Sequence, residues 1–301
     1  MSILRLEHVT KRYKDHVAVD DVSFEVEPGT IFGMLGPNGA GKTSTIRIIT
    51  TITGPDSGHV YFQNEILNKT HPSRMGYLPE ERGLYRKMKV GDHLLYLAQL
   101  KGLSTREATQ KCKAMLDRFE ALDWWHKKVE ELSKGMQQKI QFIATIVHDP
   151  VLLILDEPFT GLDPINSNMI QDEIYRLRDK GVTILFSTHR MEQVEEMCEN
   201  IILIHQGKNI LQGNVKAIRN QFKEHLYQVN FEGTLPTTFH GGLELIKSED
   251  HSATFRLGDG NSPNHLLQYL IQSGCEIHSF HEILPSINEI FIRQVKGIRH
   301  E

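Results

Sequence analysis

One segment limits the fold of this chain more than any other: GPNGAGKT at residues 36–43. It fits G-x-x-x-x-G-K-[ST] at every fixed position. It follows the apolar run TIFGMLG (30–36) and opens the helix-like TSTIRIITTIT. A glycine-rich turn between a buried strand and a helix is the context in which this pattern holds nucleotide phosphates. Gly36, Gly39 and Gly41 let the backbone turn so that successive N–H groups face phosphate oxygens. Pro37, Asn38, Ala40 and Ser44 complete the loop around them, and the helix end adds partial positive charge. Lys42 reaches the β- and γ-phosphates of ATP, and the Thr43 hydroxyl is placed to ligate Mg²⁺.

Such a loop needs a sheet behind it. VLLILDEP (151–158) and GVTILFSTH (181–189) are short apolar runs separated by a helical pattern over NSNMIQDEIYRLRDK. ILRLEHVTKRY and VSFEVEPG alternate as half-buried strands, and IILIHQGKNILQG (201–213) is a hairpin turning at Gly207. β-runs alternating with helices predict an α/β fold around a mostly parallel sheet covered on both sides. Residues 84–146 interrupt it with apolar residues at helical spacing, so a helical subdomain is inserted there. The polar stretch VKAIRNQFKE closes this ATP-binding domain, which is expected over 1–220. HLYQVNFEG, SATFRLGDG and CEIHSFHEI alternate as strands beyond it, with helices over NHLLQYLIQSG and PSINEIFIRQVK. Residues 221–301 are therefore expected to form a small α+β accessory domain.

LLILDEP carries the second piece of chemistry. An apolar strand ending in two acids delivers carboxylates at its C-terminal end, where open α/β sheets bind ligands. Asp156 is expected to hold Mg²⁺ through water, and Glu157 to polarise the attacking water as general base.

The order of motifs over about residues 2–215 resembles the nucleotide-binding subunit of an ABC transporter. ELSKGMQQK (131–139) is similar to the family signature, whose core is L-S-G-G-Q. The resemblance implies that Ser133 and Gly135 cap the γ-phosphate of ATP bound to the opposite subunit. TGLDP (160–164) resembles the D-loop, carrying Asp163 across the dimer interface. His189 matches the switch histidine that contacts the γ-phosphate. Tyr13 falls where the family stacks an aromatic ring on adenine, the alternative being a core tyrosine of the first strand.

Two motifs depart from the family pattern. In GYLPEERGLY (76–85), Glu80 stands where a glutamine usually touches Mg²⁺, and the signature reads S-K-G-M, with Lys134 in place of a glycine. A carboxylate can ligate the hard cation, but it places negative charge beside a polyphosphate unless Arg82 compensates. The loop and the chain ending resemble bacterial exporters of the sodium-efflux and drug-resistance type.

The resemblance implies a head-to-tail homodimer or heterodimer with two ATP at the seam, driving a separate transmembrane permease subunit. Residues 84–100 are the expected contact, the alternative being an ordinary amphipathic helix. No apolar run approaches the roughly 18–20 residues needed to cross a bilayer, and MSILRLEHVTKRY lacks the apolar core of a secretory signal. The expected place is the cytoplasmic face of the membrane. A net charge of −4 argues against a bulk grip on nucleic acid. ATPases of this signature also act on nucleic acid or the ribosome, but those carry heptad coiled coils or two cassettes per chain, both absent here. A kinase or GTPase using the P-loop alone would leave the signature, D-loop and His189 unexplained. Cys112, Cys198 and Cys275 have no metal-ligand spacing and are expected to be reduced thiols.

Overall fold

The computed structural model describes residues 2–81, 83–236, 238–239, 242–258 and 260–298. Two compact units divide it, residues 1–214 and 215–301. Arg82, named above as the residue whose charge would offset Glu80, lies outside the described residues.

The first unit runs β1 (Leu4–Tyr13), β2 (His16–Val26), β3 (Ile31–Leu35), α1 (Lys42–Ile49), β4 (Ser57–Phe62), β5 (Glu65–Ile66) and β6 (Met75–Leu78). It continues through α2 (Val90–Leu100), α3 (Thr105–Arg118), α4 (Lys134–Ile146), β7 (Leu152–Asp156), α5 (Pro164–Asp179), β8 (Thr183–Thr188), α6 (Met191–Met197), β9 (Asn200–His205) and β10 (Lys208–Asn214). Two sheets form, where the sequence points to one mostly parallel sheet. Strands β10-β9-β3-β8-β7-β6 make a six-stranded sheet, parallel except for the β10 edge. Strands β2-β1-β4-β5 make a separate antiparallel one. The reason lies in their patterns. Every residue of β3, β7 and β8 is buried, as a strand covered on both faces requires. β1 and β2 bury only alternate residues through much of their length, the habit of an antiparallel sheet with one wet face. One apolar core joins both sheets to α1, with Leu4, Leu6, Phe24, Met34, Ile46, Ile154 and Ile202 among its members.

The inserted helices bury narrow stripes. α3 hides Ala108, Cys112 and Leu116, four residues apart, and starts at a Ser104/Glu107 capping box. α2 hides Val90, Gly91, His93, Leu94 and Ala98 and leaves Tyr96 and Leu100 exposed.

His93 is fully buried, and neither ring nitrogen has a hydrogen-bond partner among the described residues. Burial pushes its pKa from 6.5 down to about 4. The unfolded chain therefore takes up the proton first, and stability falls as pH drops from 6.5 towards about 4. The full loss is roughly 3 kcal/mol at about 1.4 kcal/mol per pH unit. Urea titrations at pH 7 and near pH 4.5 should show this decline in wild type and a shallower one in His93→Phe; equal declines would contradict it.

The second unit contains α7 (Val215–Gln221), β11 (Leu226–Glu232), β12 (Leu243–Glu249), β13 (Ser252–Leu257), α8 (Pro263–Gln272), β14 (Glu276–Ile283) and α9 (Ile287–Ile298). The helix that the sequence reading assigns to the end of the ATP-binding domain groups with this unit. Its antiparallel sheet, ordered β12-β13-β11-β14, packs Val229, Phe231, Phe255 and Leu257 against Leu266 and Leu270 of α8. Strand β12 (LELIKSE) carries no sequence expectation, because it buries only Leu243 and shows no clean alternation. All three cysteines are free and buried. Burial raises the Cys112 thiol to about 12, so it is not reactive at neutral pH.

Candidate active site

The order β3-β8-β7-β6 fixes where the chemistry goes. These neighbours run parallel, with Leu35 beside Thr188, Ser187 beside Asp156 and Leu155 beside Leu78. Their C-terminal ends share one rim of the sheet. The segments leaving that rim hold Gly36, His189, Glu157 and Glu80. Residues up to 153 positions apart in sequence are thus brought together by strand register.

A cavity of about 400 Å³ lies there, lined by Tyr13, His16, Ala18, residues 38–44, Glu80, Asp156 and Glu157. Tyr13 is 42% exposed and lines it, so the core-tyrosine alternative fails. His16 and Ala18 are additions to the expected set. His16 pairs with Tyr13 across the β1–β2 turn, a position that residue type alone does not mark.

The P-loop glycines divide by their surroundings. A Cβ on Gly36 would meet the Ile204 carbonyl oxygen at 2.2 Å, and one on Gly41 the Ala18 oxygen at 2.3 Å. The loop is therefore pressed against neighbouring backbone, and both positions are left-handed. Gly39 has nothing within 4 Å, so its open side faces the cavity. α1 starts with no side-chain cap and no acid in its first turn, leaving its N-terminal amides for an anion.

Lys42 is 6% exposed, and its ammonium donates to the carbonyls of Gly36 (2.7 Å) and Pro37 (3.2 Å). Burial lowers its pKa, and the charges of Glu157, Asp156 and Glu80 oppose that shift. The Thr43 hydroxyl donates to Asp156 Oδ2 at 3.2 Å. Asp156 is 1% exposed; burial is the largest cause of its raised pKa. A hydroxyl and a carboxylate side by side offer only oxygen donors, which suit a hard divalent cation.

Glu157 is the strained residue of the site. It is buried, with φ at 52°, a left-handed conformation costly for a side chain of this size. Its N–H donates to the Ser187 carbonyl at 2.9 Å and its own carbonyl accepts from Thr160 N–H at 3.2 Å, which pins the kink. Its Oε1 accepts from the backbone N–H of His189 at 2.8 Å and lies 2.6 Å from His189 Nδ1. Its Oε2 accepts from the Thr188 hydroxyl at 3.2 Å. His189 is thus turned on Glu157.

Three expected residues lie away from this cavity. Ser133 is the exposed N-cap of α4, its hydroxyl accepting from Met136 N–H at 3.3 Å. Gly135 follows in the first turn of α4, where a Cβ would meet nothing closer than 3.8 Å. Asp163 caps α5 by accepting from Asn166 N–H at 2.9 Å, a bond that lowers its pKa.

A family model described as ABC transporter matches residues 19–160, one described as ATP-binding protein DrrA1-3-like, C-terminal domain, matches 213–295, and an AAA domain model overlaps 128–193. The uncharacterized ABC transporter ATP-binding protein YhaQ of Bacillus subtilis (strain 168) is 41% identical, covering 98% of this chain and 99% of its own. The ABC transporter ATP-binding protein NatA of the same organism is 35% identical over 72% of this chain and 91% of its own. A solved ATP-binding subunit of an ABC transporter superposes with a TM-score of 0.69 at 30% identity, covering 73% of this chain and 93% of that one. No helix among the described residues is long and apolar enough to cross a membrane. Identity at that level across nearly all of both chains leaves one family open, and the chain belongs to it: it is the ATP-binding subunit of an ABC transporter, an ABC ATPase that couples hydrolysis to transport and carries a DrrA-like C-terminal domain.

Proposed function

We propose that this subunit works as one half of a head-to-tail dimer, with two ATP at the seam, and that closing and opening of the seam drives a separate transmembrane subunit of an exporter. One observation carries this reading. Ser133 is exposed and Gly135 half-buried at the start of α4, both outside the lining of the cavity that holds Lys42, Asp156 and Glu157. Nothing among the described residues requires a glycine at 135, since an added Cβ meets only ordinary contacts. A γ-phosphate presented by a second subunit supplies the reason, because it needs bare backbone at a helix N-terminus. Asp163 caps α5, which follows the loop leaving Glu157, and would belong to the same seam.

Within each half, Lys42 and the P-loop amides grip the phosphates, and Tyr13 offers its ring to adenine. Mg²⁺ would be held by Thr43, by Asp156 through water and by the carboxylate of Glu80. It would neutralise phosphate charge there. Glu157 takes the proton of the attacking water, and His189 orients that carboxylate and reaches the γ-phosphate when the site closes. The chemistry is phosphoryl transfer to water by positioning and electrostatics. Tyr85, Tyr96 and Leu100, all exposed, give the 84–100 segment an apolar face for the transmembrane subunit at the cytoplasmic side of the membrane. Relatives named for export, among them the Nod factor export ATP-binding protein I of Cupriavidus metallidurans, support the exporter direction.

A complementation assay tests the dimer. Gly135→Asp and Lys42→Ala should each fold and each be inactive alone. Mixed, they should regain activity up to about a quarter of the wild-type rate, because half of the dimers are mixed and each has one intact composite site. No recovery on mixing, or full activity of Gly135→Asp alone, would contradict the arrangement.

A further inference from the structure

Glu80 sits in a segment that α4 clamps. Gln141, 6% exposed on α4, donates from Nε2 to the carbonyls of Pro79 and Glu81, each at 3.4 Å, gripping the backbone on both sides of Glu80. One turn on, the Thr145 hydroxyl lies 3.5 Å from the Tyr77 carbonyl. The helix that starts at Ser133 therefore sets the position of Glu80.

The cavity is acidic for a polyphosphate site. Among the described residues its lining offers one lysine, Lys42, against three carboxylates, Glu80, Asp156 and Glu157. Lys42 is already shared with two loop carbonyls. No three acidic, histidine or cysteine side chains among the described residues lie close enough to hold a metal without a ligand's help. Glu80 is exposed.

We propose that Glu80 makes nucleotide binding conditional on a divalent cation, and that Gln141 is the positioning residue holding Glu80 over the cavity. The inference rests on the Mg²⁺ reading above and deepens it. Metal-free ATP brings several negative charges to three carboxylates, whereas the metal complex turns the Glu80 charge from repulsive to attractive. A unit charge roughly 8 Å from a phosphate at a protein surface changes affinity on the order of tenfold. Because α4 starts at the seam, the grip on the cation and the position of Ser133 become one mechanical unit.

Calorimetric titration of ATP, with excess Mg²⁺ and again in EDTA, reads this without turnover. The ratio of the two affinities should be on the order of a hundredfold in the wild type. In Glu80→Gln it should fall about tenfold, mainly through tighter binding in EDTA. Gln141→Leu, close in size, should lower the ratio too, and the double variant should equal Glu80→Gln alone. Equal ratios in wild type and Glu80→Gln would overturn the proposal; a wild-type ratio in Gln141→Leu would remove the positioning role. Glu80 is exposed, so its variant remains a test even if Gln141→Leu fails to fold. No ATP binding to the wild type with Mg²⁺ would instead sink the underlying nucleotide-site reading.

Discussion

Replacing Glu157 by glutamine is expected to lower ATP turnover by about 10²–10⁴-fold while leaving ATP bound. The side chain keeps its size, and its carbonyl oxygen can still accept from His189 N–H, the 2.8 Å bond that Glu157 Oε1 now makes. The left-handed backbone at 52° is held by hydrogen bonds from Glu157 N–H and to Glu157 C=O, which the substitution does not touch. What disappears is the basic oxygen that takes a proton from water. Single-turnover hydrolysis and a nucleotide titration on the same sample check both halves. Unchanged hydrolysis would assign the base elsewhere, and lost binding would mean that Glu157 holds the fold of the loop.

Lys42→Ala is the second large effect. The ammonium is buried and parked on the Gly36 and Pro37 carbonyls, within reach of any phosphate in the loop. Charge-assisted bonds of this kind contribute about 1.5–3 kcal/mol each, so two lost bonds cost on the order of 10²–10⁴ in affinity. The folded state should suffer less, because burial disfavours the charged lysine and its removal relieves that cost. Calorimetry should find ATP affinity reduced at least a hundredfold, with thermal unfolding little changed. A variant that binds ATP normally would remove Lys42 from the phosphate site.

Much of this site can be read in the sequence because it is written in short, contiguous runs. The P-loop is eight consecutive residues whose spacing encodes its geometry, and LLILDEP announces a buried strand with acids at its end. Strands that read as buried and parallel imply the rim that unites them. The split into two sheets is less legible, since alternation in β1 and β2 signals one wet face without naming the partner strand. β12 is hidden for a similar reason, being an edge strand with only Leu243 buried. At the site, the kink at Glu157 and the His189 contact arise from packing between β7 and β8 and have no local signature. Gln141 is the clearest omission. It lies 61 positions from Glu80 in sequence (141 less 80), and a glutamine inside a helix reads as ordinary surface until its neighbours are seen.

The head-to-tail dimer is most directly tested by sedimentation velocity on Glu157→Gln, which should hold ATP without consuming it. The account predicts a monomer without nucleotide or with ADP, and a dimer with ATP and Mg²⁺ that is lost when Gly135→Asp is added to the same chain. A protein that binds ATP yet remains monomeric at every ATP and protein concentration would contradict it.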